Sequence, residues 1–101
     1  MRMTLATTLI MQAIGAGHCH GFDIVDVTAY PTGTVYPALR RLERDGYVRS
    51  HWEAERTAIR EGRPARRYYE LTASGAQALD AALHTLRQLD AASRLRPRPA
   101  R

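Results

Sequence analysis

Three clusters of side chains in this chain could do chemistry, and each points to a different kind. Thr34, Tyr36, Arg40, Arg41 and Arg44 fall within eleven residues and offer a hydroxyl, a phenol ring and three guanidinium groups. Arg56, Arg60, Arg63, Arg66 and Arg67 form a second basic group around Gly62 and Pro64. A guanidinium carries a permanent charge and a planar fork of donors, which suits phosphate oxygens and guanine edges better than an ammonium. The third cluster, His18-Cys19-His20, holds metal-type donors. Adjacent donors in one turn rarely complete a tetrahedral site, and His51 and His84 are the only other imidazoles, so no metal is expected. Nothing basic lies beside Cys19 in its segment to activate a thiolate. The carboxylate pairs Asp23/Asp26 and Glu53/Glu55 sit in short exposed stretches without a cleft to raise a pKa. The chain also lacks a nucleophile elbow, a metalloprotease helix motif and a glycine-rich phosphate loop. No catalytic residue, no cofactor and no enzymatic activity are expected.

The charge is as uneven as the chemistry. All fifteen basic residues are Arg, which excludes Schiff-base lysine and pyridoxal-phosphate chemistry. GC-rich coding alone would produce that bias, so position carries more information than number. Nine of the arginines lie in residues 36–67 against five carboxylates, and four lie in the tail 94–101 with no acid. One cysteine excludes an internal disulfide framework. No apolar run approaches the ~20 residues of a membrane span, and no secretory signal is visible, so the expectation is a cytoplasmic protein without a membrane partner. At 101 residues the chain makes one modest domain.

These side chains need elements to position them. In residues 4–14, Leu5, Leu9, Ile10 and Ile14 recur at helical spacing until Gly15 and Gly17 stop the run. Residues 21–28 allow at most two turns, with Phe22, Val25 and Ile24 as candidates to face inward. Residues 34–45 read most clearly as helix: Val35, Ala38, Leu39 and Leu42 form a narrow core stripe, and Gly46 supplies a left-handed end. Thr34 as N-cap would set Pro37 at the third helical position, with Thr32 the other candidate cap. Residues 47–53 and 66–72 alternate as strands, with Tyr69 and Leu71 the inward pair of the second. The intervening stretch 54–66 reads as a long, mobile hairpin tip. Thr72 caps a last helix running to about residue 93, striped by Ala76, Leu79, Leu83, Leu86 and Leu89.

Helix, helix, helix, hairpin, helix is the order of a winged helix-turn-helix: an α+β chain, mostly α, ending in a C-terminal dimerisation helix. The expected division is a winged-helix domain over 1–72, the dimerisation helix over 73–93 and a disordered basic tail over 94–101. In such a fold the third helix enters a major groove of DNA with its leading residues on base edges. Thr32, Thr34, Tyr36, Pro37, Arg40, Arg41 and Arg44 would then face DNA, while Arg60, Arg63 and Arg66 of the hairpin would reach the adjacent minor groove or backbone. A solvated charged face accounts for either basic element taken alone. Two of them flanking one scaffold are a rarer coincidence.

Two segments carry a family resemblance. Gly33-Thr34-Val35-Tyr36-Pro37-Ala38-Leu39-Arg40-Arg41-Leu42-Glu43-Arg44-Asp45-Gly46 and Gly62-Arg63-Pro64-Ala65-Arg66-Arg67-Tyr68-Tyr69-Glu70-Leu71-Thr72-Ala73-Ser74-Gly75 both resemble the PadR family of transcriptional regulators, in order and at suitable spacing. The first helix and His20-Gly21-Phe22-Asp23-Ile24 are similar to its N-terminal pattern, extending the resemblance over about residues 3–90. It implies a DNA-binding homodimer, usually a repressor, of the short type with one C-terminal helix, on a near-palindromic double-stranded operator. Independently, the leucine stripe of the last helix is longer than a three-helix core can cover. Leu5 and Leu9 of the first helix, with Leu79, Leu83, Leu86 and Leu89, are the expected dimer interface. A small-molecule effector is a possible further partner of unknown identity. The competing reading is a winged-helix protein-interaction module whose basic face is incidental.

Overall fold

A computed structural model describes residues 3–94 and 98–99. The chain is mostly helical with one two-stranded antiparallel sheet, the winged helix-turn-helix anticipated from the element order. The tail expected to be disordered lies largely outside the described residues; Arg94 ends the last helix, and its guanidinium pairs with Asp90 at 2.7 Å. None of the described helices is long and apolar enough to cross a membrane.

Helix α1 spans Leu5–Gly15, capped by the Thr4 side chain, which accepts the Thr7 N–H. Ile10, Met11 and Ile14 point into the core, whereas Leu5 and Leu9 remain exposed. Helix α2, Gly21–Thr28, buries Gly21 and Ile24. Phe22, an inward candidate in the sequence, instead stands 68% exposed. The reason is spacing: Gly21, Ile24, Val25 and Thr28 form the i, i+3, i+4, i+7 face, and residue 22 falls off it.

Helix α3 spans Thr32–Arg44, so it starts before the expected Thr34 and its cap is neither threonine. Pro31 occupies the N-cap position and its carbonyl accepts the N–H groups of Thr34 and Val35 at 2.9 and 3.0 Å. Pro37 consequently sits at the sixth helical position rather than the third. Its missing N–H leaves the Gly33 carbonyl without an intrahelical donor, and Gly33 is exposed, so water can serve that carbonyl. The core stripe is as anticipated: Val35, Ala38, Leu39 and Leu42 are all buried.

Strand β1, Val48–Trp52, pairs antiparallel with β2, Arg67–Leu71, in the register Val48↔Leu71, Ser50↔Tyr69, Trp52↔Arg67. The stretch between them is no open tip. It contains helix α4, Glu55–Glu61, with Glu55 in its first turn and Arg60 in its last. Gly62 ends it at φ 67°, donating to the Ile59 carbonyl while Arg63 N–H reaches Ala58 O, the paired bonds of a Schellman motif. Low hydrophobicity concealed this helix because Ala58 is its only buried residue.

Helix α5, Ala73–Ser93, is capped by Thr72, whose hydroxyl accepts Gly75 N–H at 3.0 Å. It packs on α1 and β2. Gly75 rather than Ala76 faces the domain, so closely that a Cβ there would run into the Tyr47 backbone carbonyl. One core therefore joins α1, α2, α3, the sheet and the first turns of α5, leaving the outer face of α3 and the rest of α5 uncommitted.

Candidate nucleic-acid interface

Burial of its apolar stripe fixes which side of α3 faces outward. Arg40, Arg41 and Arg44 are exposed, as is Thr32; Thr34, Tyr36 and Pro37 are half-buried. Arg44 donates to Asp45 at 3.3 Å, an exposed pair of small energetic weight. Tyr36 is held against the helix-turn-helix itself. Its phenol lies over Gly21, where any Cβ would collide with the ring, and Phe22 stands edge-on to it with centroids 6.4 Å apart. The glycine thus lets α2 approach the leading end of α3.

The wing is tied to this helix by a closed triangle of polar contacts. Ser50 Oγ donates to Glu43 Oε2 at 2.5 Å, Arg67 Nη2 to Glu43 Oε1 at 3.0 Å and Arg67 Nε to Ser50 Oγ at 2.9 Å. Arg67 also lies over the Trp52 and Tyr69 rings, 5.6 and 5.9 Å from their centroids. One residue from each of α3, β1 and β2 thus sets the angle between helix and hairpin.

A second carboxylate folds the wing onto itself. Glu53 receives two guanidinium N–H groups from Arg63, at 2.6 and 2.9 Å, together with the Tyr68 hydroxyl and the Arg66 N–H. Its side chain is only 8% exposed. The Arg63 hydrogen bonds, outweighing the opposing effect of desolvation, hold its carboxyl at about 2, and Glu53 in turn raises the Arg63 pKa. Of the three wing arginines singled out in the sequence, Arg63 is therefore engaged within the wing. Arg60 projects from α4, and Arg66 lies beside the cleft between wing and α3. Glu43, Ser50 and Arg67 were missed as positioning residues. Their partners lie 7 to 24 residues apart, and no local pattern marks them.

Elsewhere the candidates separate. Leu79 is 6% exposed and belongs to the protomer's own core, Leu83 packs partly against that core, Leu86 is half-buried and Leu89 is 62% exposed. His18 Nδ1 contacts Asp23 at 3.1 Å and His20 caps α2. Among the described residues no three His, Cys, Asp or Glu side chains converge on a metal-sized site. Burial first, then Asp23 and Glu70, push the Cys19 thiol up from its ordinary value, the opposite of activation.

A three-helix unit with an outward basic helix and a braced hairpin defines the winged helix-turn-helix class. Within it, residues 10–81 match the transcriptional regulator PadR-like family, and the chain belongs to that family of regulators. No curated protein matches the sequence. Among solved structures, a PadR family transcription regulator from Clostridium difficile superposes with a TM-score of 0.77 at 23% identity, covering 88% of this chain and 94% of that one. The Streptococcus mutans protein smu.1704 gives 0.75 at 26% identity, covering 95% and 92%. Bacillus subtilis PadR, solved in complex with operator DNA, gives 0.67 at 21% identity and covers 97% of this chain but 52% of its own.

Proposed function

We propose that this regulator is a sequence-specific DNA-binding repressor that acts as a homodimer. α3 enters the major groove with Thr32, Thr34 and Tyr36 leading, while Arg40, Arg41 and Arg44 follow the phosphates. Arg60 and Arg66 of the wing meet the adjacent minor groove or backbone, and Arg63 contributes by holding the wing's shape. The observation that carries the reading is the division of α3. Its whole apolar stripe is buried, while three arginines project from the remaining surface, of which only Arg44 is ion-paired among the described residues. The operator-bound Bacillus subtilis relative supports the same use of the fold.

Residues 73–93 supply the dimerisation helix, with Leu83, Leu86 and Leu89 meeting the partner together with Leu5 and Leu9 of α1. Two copies related by a two-fold axis would present their α3 helices to successive major grooves, ~34 Å apart on a near-palindromic site.

A gel-shift titration of the chain on its own promoter region tests this. Six to ten phosphate contacts predict a loss of ~10³–10⁵ in affinity between 50 and 200 mM salt. Replacing Arg40 and Arg44 by Glu abolishes the shift without changing the helical circular dichroism, and de-represses a reporter placed behind that promoter. A charge-reversed protein that keeps its cellular phenotype and its binding partners would instead favour a winged-helix protein-interaction module.

A further inference from the structure

Between the start of α2, α3 and the wing runs a cleft of about 510 Å3. Phe22 enters it from α2, Tyr36 from α3 and Trp52 from β1. Phe22 and Trp52 are 68% and 63% exposed, so two large apolar rings stand in water. Four arginines line the cleft and no carboxylate does. Two of the four are neutralised from outside it, Arg67 by Glu43 and Arg63 by Glu53. The side chains of Arg40 and Arg66 are paired with no carboxylate among the described residues, and one comes from α3 and the other from the wing.

The major and minor grooves of a duplex are separated by one sugar-phosphate strand. A helix in the first and a hairpin in the second must straddle that strand. Whatever lies between them meets phosphates and deoxyriboses rather than bases. We propose that this cleft seats that one strand, with a phosphate held between Arg40 and Arg66 and the adjoining deoxyribose against Phe22 and Trp52. The two rings thereby become DNA contacts, a role that neither the charge pattern nor the apolar stripes assign. The inference rests on the proposed function and adds the residues that fix register along the strand. A deoxyribose presents C–H faces that take the rings out of water, and the phosphate supplies the counter-charge that the cleft walls lack. The width of the slot is set beforehand. The Glu43, Ser50 and Arg67 contacts brace the wing against α3, and the braced Arg67 lies over the Trp52 ring, 5.6 Å from its centroid. Sugar and phosphate are common to every nucleotide, so these four side chains add affinity and position without reading sequence.

The test uses the full chain and its own promoter duplex. Trp52 is the single tryptophan in the sequence, so its fluorescence reports on this cleft alone. Bound DNA should abolish most of its quenching by acrylamide. An indole as accessible in the complex as in the free protein overturns the proposal. Trp52→Leu and Phe22→Ala should each weaken binding about fivefold, with the salt dependence unchanged and with equal losses on the promoter and on an unrelated duplex. Arg66→Gln should lower the salt slope by about one. Losses confined to the promoter would make the rings readers of bases and overturn their assignment to a sugar.

Substitution on the DNA side probes the same contact without touching the protein. Methylphosphonate replaces one phosphate at a time by a neutral group. In the wild type one position in each half-site should be the most costly. Arg40→Gln and Arg66→Gln should each silence that position or its immediate neighbour on the same strand. Positions silenced on opposite strands, or none silenced by Arg66→Gln, overturn the slot. A chain that shifts no duplex at low salt defeats the repressor reading and the slot with it. A chain that shifts its promoter while Trp52 stays accessible defeats the slot alone.

Discussion

α3 and α5 carry the same kind of apolar stripe and treat it in opposite ways. On α3 every member of the stripe is closed off within the protomer, from Val35 to Leu42. On α5 burial decays along the helix, from Leu79 in the core, through Leu83 and Leu86, to Leu89 at 62% exposure. Periodicity therefore reports that a face will be covered and is silent on what covers it. The closed stripe of α3 frees its other face for arginines, whereas the stripe of α5 stays open towards its end and is the surface proposed above for a partner.

The contrast can be broken or sharpened by substitution. The largest effect is expected from Leu39→Ala, which empties a fully enclosed position and should cost about 2–5 kcal/mol in urea unfolding. Gly75→Ala comes next. Its Cβ meets the Tyr47 main chain rather than a side chain that could swing away, so a loss of about 1–3 kcal/mol is expected from the same measurement. Leu86→Glu with Leu89→Glu should do the reverse of Leu39→Ala. Secondary structure persists, and sedimentation falls from a dimer to a single 11.3 kDa chain. A double mutant that still sediments as a dimer would erase the distinction between the two stripes.

The smallest effect is local and pH-dependent. The Glu53 carboxyl is held at about 2, below its ordinary 4.5, so its contribution to the wing is present above 4.5 and lost as pH falls towards 2. Hydrogen exchange at the β1 and β2 amides should accelerate across that interval in the wild type. In Glu53→Gln, exchange after allowance for its intrinsic pH dependence should be faster already at neutral pH and flatter below it.

Elements whose signals are local could be read from the sequence alone. α1, α2, both strands and α5 lie within a residue or two of their expected bounds, because stripes, caps and alternation act over a few residues. The start of α3 lies earlier than expected because the helix begins directly after Pro31 with no side chain capping it, so no capping pattern marks the boundary. α4 was hidden by its small buried face. At the interface, the exposed positions of Arg40, Arg41 and Arg44 followed from the stripe opposite them. The pairing of Arg63 with Glu53 and of Arg67 with Glu43 did not, since each depends on hairpin register and on how the wing leans against α3. The cleft between the wing and α3 was invisible for the same reason: its walls come from three separate parts of the chain.

The turn between α1 and α2 does more than connect them. The Tyr69 N–H donates to the Cys19 carbonyl at 2.8 Å, and His20 bridges to Tyr68, so the outer side of β2 is already occupied by the chain's own backbone. A two-stranded ribbon ordinarily presents two edges on which another strand can grow. Here only β1 keeps one, five residues long and carrying the charged Arg49. A protein whose function is proposed to require self-association through helices is thereby left with little scope for self-association through strands.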